Sequence, residues 1–402
     1  MRTGIATPFA ATLAIVFGVL CHVTVNAAER LGSYAVNPDA ISISGISSGA
    51  FMANQIHTAH SAQFMGVGII AGGPYQCASV NSGLGDFFGS YKELWNAVYV
   101  CSRQASQTPL IGFLQPFLGP PDPSKSVAAA RAEANSGTID ALENMRGDRI
   151  WLFSGTEDTL IPPSVVAATG DYYTEILATL TDASEDRIAY VNDVDVHHAM
   201  VVAKPGDNNC LDFELPYIND CDYDAAGEFL SFIYQNPETV LKEPVEWERQ
   251  SLIAFDQTEF FPESTGSVEN ESGSISMNDV GHVYVPAKCR DGAECRLHVA
   301  LHGCEQYQEN VESQCVRDGK CPPLLFFEAA GYNEWAEAND TIVLYPQTTV
   351  WNGPSITRTN PKGCWDWWGF SGEAFATKDG KQVRAIKSMV DRLTAPRDDT
   401  GS

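Results

Sequence analysis

Basic residues are scarce in this chain: its 402 residues carry 25 Lys and Arg against 51 Asp and Glu, a formal net charge of −26. A surface that acidic repels phosphate backbones and anionic lipid, which argues against nucleic acid or a membrane surface as a partner. There is no C-x2-C pair. The H-x3-H formed by His298 and His302 falls on a predicted strand, where a four-residue offset separates the side chains by roughly 13 Å, too far to share one ion. No metal and no cofactor is expected. Beyond the first residues, no segment is long and apolar enough to span a bilayer, so no stable membrane insertion is expected.

What is present is a core. Hydrophobic residues make up 44% and aromatics 10%, which excludes a disordered chain, and 33 Gly with 22 Pro indicate many turns. The length suffices for two average domains or one large α/β domain. Arg2, an apolar run from Phe9 to Leu20, and Val25-Asn26-Ala27 form a signal peptide with cleavage after Ala27, so residues 1–27 are expected to be removed on export to the periplasm or the medium. Cleavage also removes Cys21. Ten of the eleven cysteines then remain, an even number suited to disulfides in an exported chain. Cys289 with Cys295, Cys315 with Cys321, and Cys210 with Cys221 are close enough to staple loops, which leaves Cys77, Cys101, Cys304 and Cys364. Spacing alone does not fix the connectivity.

Short β-branched runs alternate with helical patterns, the signature of a mostly parallel sheet covered on both faces. Strands are predicted at 40–45, 65–71, 149–154, 187–191, 297–301 and 341–345, and helices at 48–59, 163–180, 225–235, 324–338 and 380–393. Residues 102–148 read as a cap-like insertion and residues 237–280 as a long acidic surface connection.

Gly45-Ile46-Ser47-Ser48-Gly49 fits G-x-S-x-G, between an apolar strand run and a helical one. A sharp strand-to-helix turn there pushes the Ser47 hydroxyl out of the sheet and aims the Ser48 N–H at a developing oxyanion. Such a nucleophile needs a base and an orienting carboxylate. Asp158 lies just past the strand at 149–154 and is preferred to Glu157. His198 follows the next strand, where the order Ser, Asp, His expects the base, and is preferred to His197. Asp193 and Asp195 read as loop charges. A strand ending in His302-Gly303 is how α/β-hydrolases complete the oxyanion hole, but there it precedes the nucleophile and here it follows the whole triad. Circular permutation explains this, with the helix at 380–393 in the place that normally leads into the nucleophile strand. Residues 28–402 are therefore expected to complete one catalytic domain.

Together with Ala71-Gly72-Gly73-Pro74-Tyr75, Ser154-Gly155-Thr156-Glu157-Asp158, His198-Ala199-Met200, His302-Gly303-Cys304-Glu305-Gln306 and Gly363-Cys364-Trp365-Asp366-Trp367-Trp368, the nucleophile motif resembles the poly(3-hydroxybutyrate) depolymerases of the single-domain, circularly permuted kind. The resemblance implies an α/β-hydrolase fold and cleavage of polyester bonds through an acyl-enzyme. Ser47, Asp158 and His198 take the triad roles, and the backbone N–H groups of Ser48 and Cys304 form the oxyanion hole. Val201-Val202 departs from the proline and threonine common after that histidine motif. A hydroxyalkanoate chain is apolar and rich in carbonyls, so aromatic walls with a few donors are expected. Trp365, Trp367, Trp368, Tyr75 and His302 are the candidates. No linker and polymer-binding domain follows Leu393, which points to amorphous polymer or oligomers as substrate and to a monomeric enzyme. An esterase of soluble or carbohydrate esters, of feruloyl or acetyl type, is the alternative on the same fold.

Overall fold

The computed structural model describes residues 28–81, 89–103, 119–180, 187–203, 208–235, 240–262, 275–319 and 323–396. The predicted signal peptide at 1–27 lies outside them. The main sheet has eight strands: β1 (Val36–Ile46), β2 (Gly66–Ile70), β3 (Arg149–Phe153), β4 (Ile188–Val191), β5 (Leu252–Asp256), β6 (Val280–Tyr284), β7 (Cys295–Leu301) and β8 (Thr341–Tyr345), in the order β4-β3-β2-β1-β7-β8-β6-β5. Pairing is parallel from β4 through β8 and antiparallel at β8–β6 and β6–β5. The first strand of the chain is thus central, hydrogen-bonded on one side to β2 and on the other to β7, with Ser44 opposite Ala300 and Gly45 opposite Leu301. Chain halves about 250 residues apart are interleaved in one sheet, the circularly permuted arrangement.

The principal helices are α1 (Ser48–Ala59), α2 (Lys92–Tyr99), α3 (Pro123–Ser136), α4 (Pro163–Leu177), α5 (Ala225–Ile233), α6 (Gln308–Asp318), α7 (Tyr332–Ala338) and α8 (Lys381–Thr394). Two apolar clusters cover the two faces. One gathers Phe51 and Ile56 of α1, Val165 and Tyr172 of α4, and Val383, Ile386 and Met389 of α8; the other gathers Phe229 and Ile233 of α5 with Tyr332 and Ala336 of α7. All twelve residues of α1 are buried, so this helix is fixed from every side beneath the sheet. Its counterpart α8 is amphipathic, and burial of each large side chain on its inner stripe contributes about 1.5–3 kcal/mol. At the end of α8 the Tyr34 N–H donates to the Leu393 carbonyl (2.9 Å), so the segment before β1 is stitched to the last helix.

Several expectations are revised. The stretch 237–280 is not simply a surface connection, because β5 lies inside it and forms the edge of the main sheet. The helix expected at 324–338 is broken into Phe326–Ala329 and α7 by Gly331 at φ 90°, a left-handed conformation that ends the first turn. Of the insertion at 102–148, the described part carries α3, which caps itself through Asp122 accepting from Ser124 N–H and packs against α4. Residues 104–118 lie outside the described ones.

Among the described residues, disulfides join Cys77 to Cys101, Cys210 to Cys221, Cys289 to Cys295 and Cys304 to Cys364. Cys315 is disulfide-bonded as well, and Cys321 lies outside the described residues. Among the described residues no helix is long and apolar enough to cross a membrane.

Candidate active site

The turn between β1 and α1 is strained at Ser47, with φ 57° and ψ −125°, where the left-handed region is costly for a residue with a side chain. Two glycines make the turn possible. A Cβ on Gly45 would lie 2.3 Å from the Gly49 carbonyl, and one on Gly49 would lie 2.4 Å from Leu301 O and 2.5 Å from His302 O. The elbow therefore presses directly against the end of β7, and the Ser47 N–H is held by Ile70 O at 2.9 Å. Ser48 opens α1, so its amide is among the first-turn donors without an intrahelical acceptor.

Beyond β3, Asp158 turns its carboxylate inward. Its Oδ1 accepts from the amides of Leu160 (2.9 Å) and Ile161 (2.8 Å), and its Oδ2 accepts from His198 Nδ1 at 2.7 Å. Both side chains are buried, while Glu157 is exposed and His197 half-buried. His198 Nε2 is buried and has no hydrogen-bond partner. Asp195 instead accepts from Thr156 Oγ1.

Ser47, Ser48 and His198 share one pocket of about 320 Å³ with Gly303, Cys304 and Gln306. Its described walls include Phe51 on α1; Leu94, Ala97 and Val98 on α2; Leu160 and Ile161; Phe213 and Tyr217; Ile356 and Thr359 in the hairpin formed by Trp351–Ser355 and Arg358–Asn360; and Trp367 with Trp368. Phe213 and Ile356 are exposed, and the Tyr217 phenol is pushed up to about 12 by burial and by the Glu305 carboxylate. Charge at this pocket is confined, among its described lining residues, to Glu305 and Lys362, which pair with each other at 3.1 Å.

Trp367 and Trp368 carry indole N–H groups that are buried and unpartnered. Trp367 is stacked on Phe51 at 4.2 Å. Their turn is wound around Asp366, whose buried carboxylate accepts from the amides of Gly369, Phe370 and Ser371. Burial pushes that carboxyl above the ordinary range, against the pull of those hydrogen bonds.

Three candidates do not reach the pocket. Tyr75 is fully buried and donates to Ala376 O; Trp365 is fully buried and donates from Nε1 to His302 O at 2.9 Å. His302 is enclosed, with Nδ1 2.7 Å from Gly303 O and Nε2 accepting from Thr348 N–H, and burial lowers its pKa to about 4. All three serve packing rather than a substrate wall. His298, on β7, lies between Ser42 Oγ (2.7 Å from Nδ1) and Ser44 Oγ (2.8 Å from Nε2). Among the described residues no cluster of three or more His, Cys, Asp or Glu could hold an ion. The α2, Phe213–Tyr217 and Ile356 walls were not anticipated. They come from loops and a short helix without a motif, while Gln306 stood three residues past Gly303, a turn offset visible in the sequence.

No family model matches the chain. It is 33% identical over 380 residues to the poly(3-hydroxybutyrate) depolymerase of Delftia acidovorans, covering 94% of this chain and 64% of that protein. The chain thus spans under two thirds of that relative's length. It is 30% identical over 387 residues to the polyhydroxybutyrate depolymerase of Talaromyces funiculosus, covering 92% of this chain and 94% of that one. The chain belongs to the polyhydroxybutyrate depolymerase family. Two solved structures of polyhydroxybutyrate depolymerase superpose with a TM-score of 0.68 at 29% identity, over 90% of this chain and 98% of theirs. One is the Penicillium funiculosum enzyme, and the other is a serine-to-alanine variant complexed with a trimer of R3HB. The polyhydroxybutyrate depolymerase fold of this chain is thus the disulfide-stapled α/β-hydrolase sheet described above.

Proposed function

We propose that the chain is a serine hydrolase cleaving the ester bonds of poly(3-hydroxybutyrate), or of related short-chain polyhydroxyalkanoates and their oligomers. The observation that carries this is the His198–Asp158 pair: Nδ1 is committed to a buried carboxylate at 2.7 Å, and the unpartnered Nε2 belongs to the pocket that Ser47 also lines. Asp158 fixes the tautomer in which Nε2 is the acceptor. Ser47 Oγ attacks the ester carbonyl carbon as His198 Nε2 takes its proton, and the oxyanion is held by the N–H groups of Ser48 and Cys304. The C–O bond to the leaving hydroxyacyl unit breaks as His198 returns the proton to that oxygen. Water, deprotonated by His198, then attacks the acyl carbon; its bond to Ser47 Oγ breaks, the acid leaves, and His198 returns the proton to that oxygen.

Trp367, Trp368, Phe51 and Leu94 give the apolar walls that a methyl-branched chain needs, and the two free indole N–H groups offer donors to its carbonyls. The enzyme acts as an exported, monomeric single domain of residues 28–402, and its acidic surface repels the hydroxy-acid anions it releases.

The test incubates the mature protein and Ser47→Ala with amorphous polymer, crystalline polymer and feruloyl esters, and assays the released acids. Wild type is expected to release hydroxybutyrate units from the amorphous polymer, and Ser47→Ala to be slower by several orders of magnitude. Activity retained by the variant removes the mechanism. Release from feruloyl esters alone makes the chain an esterase of carbohydrate esters.

A further inference from the structure

Gln306 lines the pocket, is buried, and spends its whole amide on the backbone of two different loops. Its Oε1 accepts from the Gly303 N–H at 2.7 Å, and its Nε2 donates to Pro216 O at 2.9 Å and to Tyr217 O at 3.2 Å. The turn itself does not need this side chain, because the Gln306 N–H already closes it on Gly303 O at 3.3 Å. Tyr217 O accepts a second hydrogen bond, from Met200 N–H at 2.8 Å, and Met200 stands two residues past His198. One side-chain amide therefore connects the loop after β7 to the residues leading into the short strand Ile218–Asp220, which pairs with Met200–Val202 just past His198. The space is closed on the other side too: a Cβ on Gly303 would lie 2.9 Å from Gln306 Oε1 and 3.2 Å from Ser47 Cβ.

We infer that Gln306 is a positioning residue for catalysis, which fixes the loop carrying the Cys304 N–H relative to His198 and Ser47. The inference rests on the serine-hydrolase reading above. By engaging the Gly303 N–H, Gln306 takes that amide out of competition and assigns the oxyanion to its neighbour, Cys304. By binding Pro216 and Tyr217, it sets the distance between oxyanion donor and general base. A donor aimed at charge that appears only in the transition state acts on kcat rather than on substrate binding. A loosened donor costs less than a deleted one, for which losses of about 10²–10³ are typical.

The experiment compares wild type, Ser47→Ala, Gln306→Glu and Gln306→Met on a soluble p-nitrophenyl butyrate ester. Active sites are titrated with a fluorophosphonate, and melting temperatures are measured in parallel. Glu is isosteric and still accepts from Gly303 N–H but gives nothing to Pro216 or Tyr217; Met fills the space and makes neither contact. Expected is a kcat per titrated site lower by about 10- to 100-fold in both variants, Met the lower, with KM within about threefold of wild type. The inference is overturned by a per-site kcat within twofold of wild type, by a loss confined to KM, or by activity that falls only in step with titratable sites. Two variants without titratable sites, beside a folded Ser47→Ala, would make Gln306 a folding residue and overturn it equally. An active Ser47→Ala instead removes the underlying reading, whatever Gln306 does.

Discussion

The α-carbons of Cys304 and Cys364 stand 4.2 Å apart across a disulfide, so the loop after β7 and the loop bearing Trp367 and Trp368 are held as one piece. Both loops line the pocket, whereas Cys289–Cys295 ties a short helix to the far end of β7. The two bridges are expected to separate stability from catalysis. Each double Cys→Ser variant should lose about 2–4 kcal/mol of stability in urea titration. Hydrolysis should fall by more than tenfold for the Cys304/Cys364 variant and stay within about twofold for Cys289/Cys295. Equal activity in the two would show that the disulfide beside the pocket is a staple and nothing more.

Asp158 does two things at once, holding His198 through Oδ2 and the amides of Leu160 and Ile161 through Oδ1. Asp158→Asn keeps an oxygen for the amides but presents an N–H₂ to the histidine and imposes the wrong tautomer. A loss of about 10³–10⁴ in kcat is expected, with little change in melting temperature, as measured by steady-state kinetics and calorimetry. A loss below tenfold would point to a different carboxylate.

Trp365 and Trp368 should respond differently to replacement. Trp368→Phe leaves an aromatic wall but removes a donor with no protein partner, so KM for a hydroxybutyrate oligomer should rise severalfold while stability holds. Trp365→Phe removes the hydrogen bond to His302 O from a closed interior. About 1–3 kcal/mol of stability should be lost there, with KM nearly unchanged. Thermal melts and oligomer kinetics on the pair distinguish the roles.

Acid should destabilise the fold before the carboxylates titrate. Burial lowers the pKa of His60, His282 and His302 to about 4 and of His298 to about 3. The folded state then refuses protons that the unfolded chain takes up below about 6.5, so stability is full above that pH and is lost as pH falls toward the folded values. Asp148 and Asp366, raised by burial, work in the opposite direction. His282, stacked on Phe327 at 3.8 Å, isolates the effect. His282→Phe should flatten the dependence between pH 6 and 5, by on the order of 1 kcal/mol per pH unit in urea titrations. An unchanged slope would show that His282 is protonated in the fold.

Legibility in the sequence followed how local the physics is. The elbow at Ser47 was readable because strand, glycines and helix are contiguous, and α1 falls on the predicted residues 48–59. The displaced His302-Gly303 motif was readable because chain order alone exposes the permutation. β5 escaped because Leu252–Asp256 is an edge strand in an acidic stretch, paired antiparallel with β6, and only that pairing makes it a strand. Gly331 was visible, yet a glycine in the sequence does not say that its φ is positive and that the helix breaks there. Facing was the hardest property to read. In Trp365-Asp366-Trp367-Trp368, composition marks an aromatic wall, but which indoles meet the pocket is decided by the turn around Asp366 and by Trp365 reaching back to β7.

The hydrogen bond from Tyr34 to Leu393 gives this molecule a movable breakpoint. Bridge residue 396 to residue 33 with a short linker, open the gene within 240–248, and the polypeptide reads β5, β6, β7, β8, α8, then β1 with its serine elbow. That is the order in which unpermuted α/β-hydrolases are translated, oxyanion strand first and nucleophile later. The sheet is indifferent to where its ribbon was cut, so the rewired gene should encode the same pocket, made in the other order on the ribosome.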